Sequence, residues 1–142
     1  MTAFIQNSEG DLGIEGADLG QKVGFLSATG EYTASSVDKL FFTAGRKMRV
    51  RKIIGTVTVA GTDAGAVTAT VRKVPSGTAI TSGTALHSGT FNLKGTANTK
   101  QELTLSTTSS DLDIADGDAL ALDFTGTLTA ATGAITVWLG PR

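Results

Sequence analysis

Between Arg46 and Val74 the chain carries two runs rich in β-branched residues, Arg46-Lys-Met-Arg-Val-Arg-Lys-Ile-Ile-Gly-Thr-Val-Thr-Val59 and Ala66-Val-Thr-Ala-Thr-Val-Arg-Lys-Val74. The turn formers Ala60-Gly-Thr-Asp-Ala-Gly65 separate them. Two such runs around a short linker predict a β-hairpin. In the second run Val67, Ala69 and Val71 alternate with Thr68, Thr70 and Arg72. That period of two belongs to a strand with one face buried and the other wet. The first run changes phase: Met48 and Val50 hold even positions beside Arg49 and Arg51, whereas Ile53, Val57 and Val59 hold odd ones. A regular strand cannot switch faces, so a β-bulge or break is predicted near Lys52–Ile53. Gly55 would then admit a close backbone approach.

The remaining chain reads in the same terms. Val37–Thr43, with Leu40, Phe41 and Phe42, is expected to form a strand entering the core. Pro75–Gly83 reads as a loop with one helical turn. Thr84–Leu93 offers Leu86, Phe91 and Leu93 to the interior around a kink at Ser88-Gly89. Leu103 and Leu105 are expected to point inward, and Leu112 and Ile114 to pin the polar crossing from Ser106 to Ala115. Asp116-Gly117-Asp118 makes a tight turn. In Ala119–Phe124, Leu120, Leu122 and Phe124 share one face and the small Ala119 and Ala121 the other. The last strand, Ala134–Leu139, turns Ile135, Val137 and Leu139 inward and Trp138 the opposite way. About seven or eight short strands, with no helical period and no internal repeat, predict an all-β fold. The expected form is a single β-sandwich, connected by Greek-key or jelly-roll crossings in preference to a meander.

Residues 1–30 differ from the rest. Ile5, Leu12, Ile14 and Leu19 are scattered among Gly10, Gly13, Gly16, Gly20 and Gly24. Each glycine costs a helix about 1 kcal/mol relative to alanine. The segment reads as an extended arm ordered by docking, or as a disordered tail, leaving 31–142 as the sandwich domain. Up to Glu31 the acids Glu9, Asp11, Glu15, Asp18 and Glu31 face Lys22 alone, whereas Lys39, Arg46, Lys47, Arg49, Arg51 and Lys52 form an acid-free stretch. Either the two patches sit on separate or opposed solvated faces, or they form a contact surface for a partner or a second copy.

The 142 residues are the length of one ordinary domain, and 40% hydrophobic with 18% charged residues argues against disorder. A net charge of −1 argues against a polyanion binder. Without cysteine there is neither a disulfide framework nor a thiolate metal site. No basic start followed by an apolar run is visible, and no apolar run nears the ~20 residues that span a bilayer.

Few residues suggest chemistry. His87 is the only histidine, and no Gly-x-Ser-x-Gly accompanies it, so a surface or partly buried strand position is expected over a Ser-His-Asp triad. Asp111-Leu-Asp-Ile-Ala-Asp-Gly-Asp118 clusters carboxylates as a Ca²⁺ loop would, without EF-hand spacing. Its Asp and Gly are also the residues a tight turn selects. Gly61-Thr-Asp-Ala-Gly65 lacks the Gly-Lys-Ser/Thr ending of a phosphate loop. The basic stretch 46–52 carries no aromatic residue on which a nucleic-acid base would stack. Trp138, out of phase with its strand, must be covered by a loop, by the N-terminal arm or by a partner subunit. No catalytic, cofactor or metal residue stands out, and the reading is non-enzymatic.

Three segments carry a resemblance: Met48-Arg-Val-Arg-Lys-Ile-Ile-Gly-Thr-Val57, Gly77-Thr-Ala-Ile-Thr-Ser-Gly-Thr-Ala-Leu86 and Asp113-Ile-Ala-Asp-Gly-Asp-Ala-Leu-Ala-Leu-Asp-Phe124. Over residues 37–142 the chain resembles head decoration (cement) proteins and related small β-sandwich virion proteins of tailed bacteriophages. The likeness is one of texture and includes no catalytic or ligand motif. It implies a homotrimer on the capsid exterior that binds the major capsid protein and ties capsid subunits together. It also implies location in the virion after synthesis in the host cytoplasm, and no cofactor, nucleic acid or membrane partner. The arm would then dock on the shell or on a sister subunit. Candidate contact residues are Ile5, Leu12, Ile14 and Leu19 of the arm, the basic Arg46, Arg49 and Arg51, and Trp138. The rival expectation is a carbohydrate- or receptor-binding sandwich from a phage fibre or tail tip.

Overall fold

The alternating pattern becomes ten strands among residues 25–142, the residues that the computed structural model describes. One antiparallel sheet has the order β1 (Leu26–Tyr32), β10 (Thr132–Pro141), β3 (Met48–Val59), β7 (Lys100–Glu102), with β8 (Asp113–Ile114) also paired to β3. The other has the order β2 (Lys39–Thr43), β9 (Ala119–Thr125), β4 (Thr68–Val74), β5 (Thr84–Ala85), with β6 (Phe91–Asn92) also on β4. The sheets pack face to face as a β-sandwich, as the all-β reading expected.

The expected hairpin between the runs at 46–59 and 66–74 does not form. The strands β3 and β4 belong to different sheets, paired to β10 and β9 respectively. Each has one strongly apolar face, and placing them in opposed sheets buries those faces against each other across the core. Besides one internal bond, from the Gly65 N–H to Asp63 Oδ2 at 3.3 Å, their linker is held by remote partners. The Gly61 N–H donates to the Leu93 carbonyl at 2.9 Å and the Thr62 N–H to the Thr129 carbonyl at 2.9 Å. Lys94 Nζ donates to the Asp63 and Gly65 carbonyls at 2.6 and 3.1 Å. The same crossing between sheets occurs from β1 to β2, from β2 to β3 and from β9 to β10.

The phase change in β3 is a bulge. Lys52 lies opposite Trp138 and Val50 opposite Leu139, so Arg51 is the extra residue and both basic side chains face water. A second irregularity near Thr58 turns Val59 outward, so it leaves the face held by Ile53 and Val57. In β2 a third irregularity lets Phe41 and Phe42 both pack on the core, while Leu40 is left 53% exposed. The core expectation for Leu40 is thereby corrected.

The interior contains Ile53, Val57, Ile135, Val137 and Leu139 of the first sheet, Ala69, Val71, Leu120 and Leu122 of the second, and Val67 just before β4. Glycines of the first sheet make room for large groups of the second. A Cβ on Gly55 would lie 2.8 Å from Phe91 Cδ1, so this glycine meets a ring and not the backbone expected there. Leu86, Phe91, Leu93, Leu112 and Ile114 are all buried, and a 3-10 turn at Ile80–Ser82 packs Ile80 on the small patch of Val74, Ala119 and Ala121. The paired strand β1 runs across the expected boundary at residue 31. Its inward residues, Ala28, Gly30 and Tyr32, are too small or too polar to announce a strand.

Candidate functional site

His87 is buried, at 5% exposure, and its ring completes a sheet. After β5 the chain leaves β4, and His87 Nε2 accepts the Val71 N–H at 3.0 Å while Leu86 N–H donates to the Val71 carbonyl at 3.0 Å. The other ring nitrogen faces the Ser88 carbonyl at 3.4 Å, and the Phe91 ring packs edge-on with centroids 5.2 Å apart. Burial lowers the pKa of His87 below that of a free imidazole, with the nearby Arg72 charge adding to the effect. The neutral tautomer bearing its proton on Nδ1 satisfies both contacts. This histidine holds backbone together; its hydrogen bonds go to no hydroxyl or carboxylate.

Asp111, Asp113 and Asp118 of the acidic string are likewise engaged with protein donors. Asp111 accepts from Ser106 Oγ at 2.5 Å, and Asp118 from the Ala115 N–H at 3.0 Å. One oxygen of Asp113 accepts from Arg142 at 2.7 Å and from Arg49 at 2.6 Å. The hydrogen bond from Arg142, joined by that from Arg49, holds the Asp113 carboxyl below the usual carboxylate range. Among the described residues no group of three or more His, Cys, Asp or Glu is arranged to hold a metal ion. No helix among them is long and apolar enough to cross a membrane.

The exposed features gather elsewhere. Trp138 is 44% exposed on the outer face of the first sheet, as its phase predicted. Together with Phe25, Leu26, Ser27, Arg51 and Leu139 it lines a groove of about 240 Å³. Arg51 is placed there by the β3 bulge, and its guanidinium donates to the Pro141 carbonyl at 2.7 Å. Gly140 lies close against two of these side chains: a Cβ there would sit 2.7 Å from Arg51 Nε and 3.0 Å from Phe25 Cε1.

Of the expected contact residues, the structure thus brings Arg51 and Trp138 together. Arg49 is committed to Asp113 and to the Ser109 side chain. Arg46 is exposed. Ile5, Leu12, Ile14 and Leu19 lie outside the described residues. Sequence reasoning missed Phe25, Val37 and Leu40, which are 62%, 75% and 53% exposed. The signal for Leu40 was its place beside a doubled aromatic, where three successive apolar residues cannot all face one side of a strand.

Comparisons with protein-family models, with curated proteins and with solved structures found no match.

Proposed function

We propose that this chain is a structural virion protein, a capsid decoration or cement protein that binds the outside of a phage head as a homotrimer and stabilises contacts between capsid subunits. The reading starts from the sequence resemblance. The observation that supports it most is a pair of edge strands on one side of the sandwich that no other described strand covers. Among the described residues β1 pairs only with β10 and β2 only with β9, and a Cβ on Gly30 of β1 would lie 3.0 Å from Phe41 of β2. Edge strands expose unpaired N–H and C=O groups and in stable proteins are usually covered. Here they are flanked by the exposed Phe25, Val37 and Leu40. A head-to-tail contact through such an edge closes into a ring when its rotation permits, and the sequence resemblance makes that ring a trimer. Many copies on a shell would add avidity to modest single contacts.

Light scattering on the purified chain should give a mass near three times 14.5 kDa, and the protein should co-sediment with expanded capsids built from the cognate capsid protein. A monomer that ignores such shells would sink the proposal.

The second reading, a carbohydrate- or receptor-binding module of a fibre or tail tip, draws on the exposed indole over a groove. Glycan binding that disappears in Trp138→Ala, with no capsid association, would favour it.

A further inference from the structure

Two edge strands of opposite charge lie on one side of the sandwich. Among the described strands β1 ends the first sheet and carries the exposed Glu31, while β2 ends the second and begins at Lys39. Neither residue is in an ion pair among the described residues. Two aliphatic side chains stand out into water at the β2 edge: Leu40, and Val37 just before the strand. The irregularity between Leu40 and Phe42 keeps β2 from offering a long, regular ladder to a neighbour. Side chains must therefore supply much of any contact made there.

We propose that copies of this chain associate by setting the β1 edge of one beside the β2 edge of the next, with Glu31 facing the partner's Lys39 and with Leu40 and Val37 covered in the contact. The inference rests on the proposed homotrimer and specifies the seam that builds it. Pairing β1 with a second β1 is a two-fold contact: it uses the same edge on both copies, stops at a dimer and leaves the β2 edge uncovered. Pairing β1 with β2 uses a different edge on each copy, so every subunit gives one and receives one, which is the condition for a ring. Both edges lie on the same side, as the approach of Gly30 to Phe41 shows, so each successive copy turns about that side. Edges on opposite sides would instead extend the assembly in a line. The opposite charges select this pairing over like edges, because a carboxylate then meets an ammonium in place of another carboxylate.

Light scattering of the full chain at low salt, over a range of protein concentrations, reads this seam. Glu31→Lys and Lys39→Glu should each raise the concentration at which trimers form by about tenfold, because three seams lose an attraction and gain a repulsion. Combining the two reversals should restore most of the assembly. Leu40→Ser, at an exposed position, should weaken it without unfolding the sandwich. The chain has no cysteine, so Glu31→Cys and Lys39→Cys report the pairing directly. Refolded together and oxidised, the two variants should give a cross-linked dimer that neither gives alone. A cross-link in Glu31→Cys alone would assign the edge to a two-fold contact and overturn the proposal. A trimer that no reversal shifts and no cysteine pair cross-links would overturn this seam while leaving the homotrimer standing. A monomeric wild type would overturn both.

Discussion

His87 Nε2 accepts the Val71 N–H at 3.0 Å, filling with a side chain the place on β4 between its two short partners β5 and β6. The bond requires an unprotonated nitrogen. Because burial lowers the histidine pKa, the unfolded chain binds the proton more readily than the fold does. The contribution is therefore fully present above about pH 6.5, the unperturbed histidine value, and is lost as pH falls below it. Urea titrations at pH 7 and pH 5 should show the wild type losing stability. His87→Leu, which leaves the Val71 N–H unpaired, should cost about 1–3 kcal/mol at pH 7 and remove that histidine-dependent loss. Equal pH slopes in the two proteins would contradict this account.

The bulge at Arg51 allows Met48 and Val50 to face the same core as Ile53 and Val57. Deleting Arg51 restores a regular strand and forces one side of the phase change outward. The deletion should abolish cooperative thermal unfolding or lower Tm steeply. Arg51→Ala keeps the residue count and should stay within about 1 kcal/mol of the wild type.

Gly133 is placed where a side chain has no room. A Cβ there would collide with the Thr56 carbonyl oxygen of the paired strand and lie 2.5 Å from the Tyr32 hydroxyl. Backbone in a sheet and a buried ring cannot retreat, so Gly133→Ala should destabilise by about 1–3 kcal/mol in a denaturant titration. Gly45, whose Cβ position meets nothing within 4 Å, is the control: Gly45→Ala should change stability by no more than ~0.5 kcal/mol.

Tyr32 is 1% exposed and packs edge-on against Phe124 at 5.8 Å between centroids. Burial pushes its phenol pKa from 10.0 up to about 12. The unfolded chain thus releases the proton first, and the stability contribution, complete below pH 10, declines as pH rises toward 12. At 1.36 kcal/mol per pKa unit the loss approaches about 3 kcal/mol. Tyr32→Phe should hold its stability between pH 9 and pH 11, by chemical denaturation, better than the wild type does. A matching alkaline decline in the variant would refute the assignment.

The alternation at 67–72, the inward triplet Ile135, Val137 and Leu139 with Trp138 facing out, the bulge in β3 and the turn at 116–118 could all be read from neighbouring residues. Side-chain period and turn chemistry are local, and a chain displays them before it folds. Which strand lies beside which was not legible in this way. The runs flanking Ala60–Gly65 look like a hairpin, yet each finds a better neighbour far along the chain: β10 for one, β9 for the other. Burying both valine-rich faces across a shared core outweighs the short loop that a hairpin would close. The same limit applied to the surface groups. From sequence Arg49 and Arg51 were equivalent, but the fold binds the first to Asp113 and puts the second beside the indole. The faces of single strands were thus local properties, whereas strand partners and the grouping of exposed side chains followed from burial shared by residues distant in the chain.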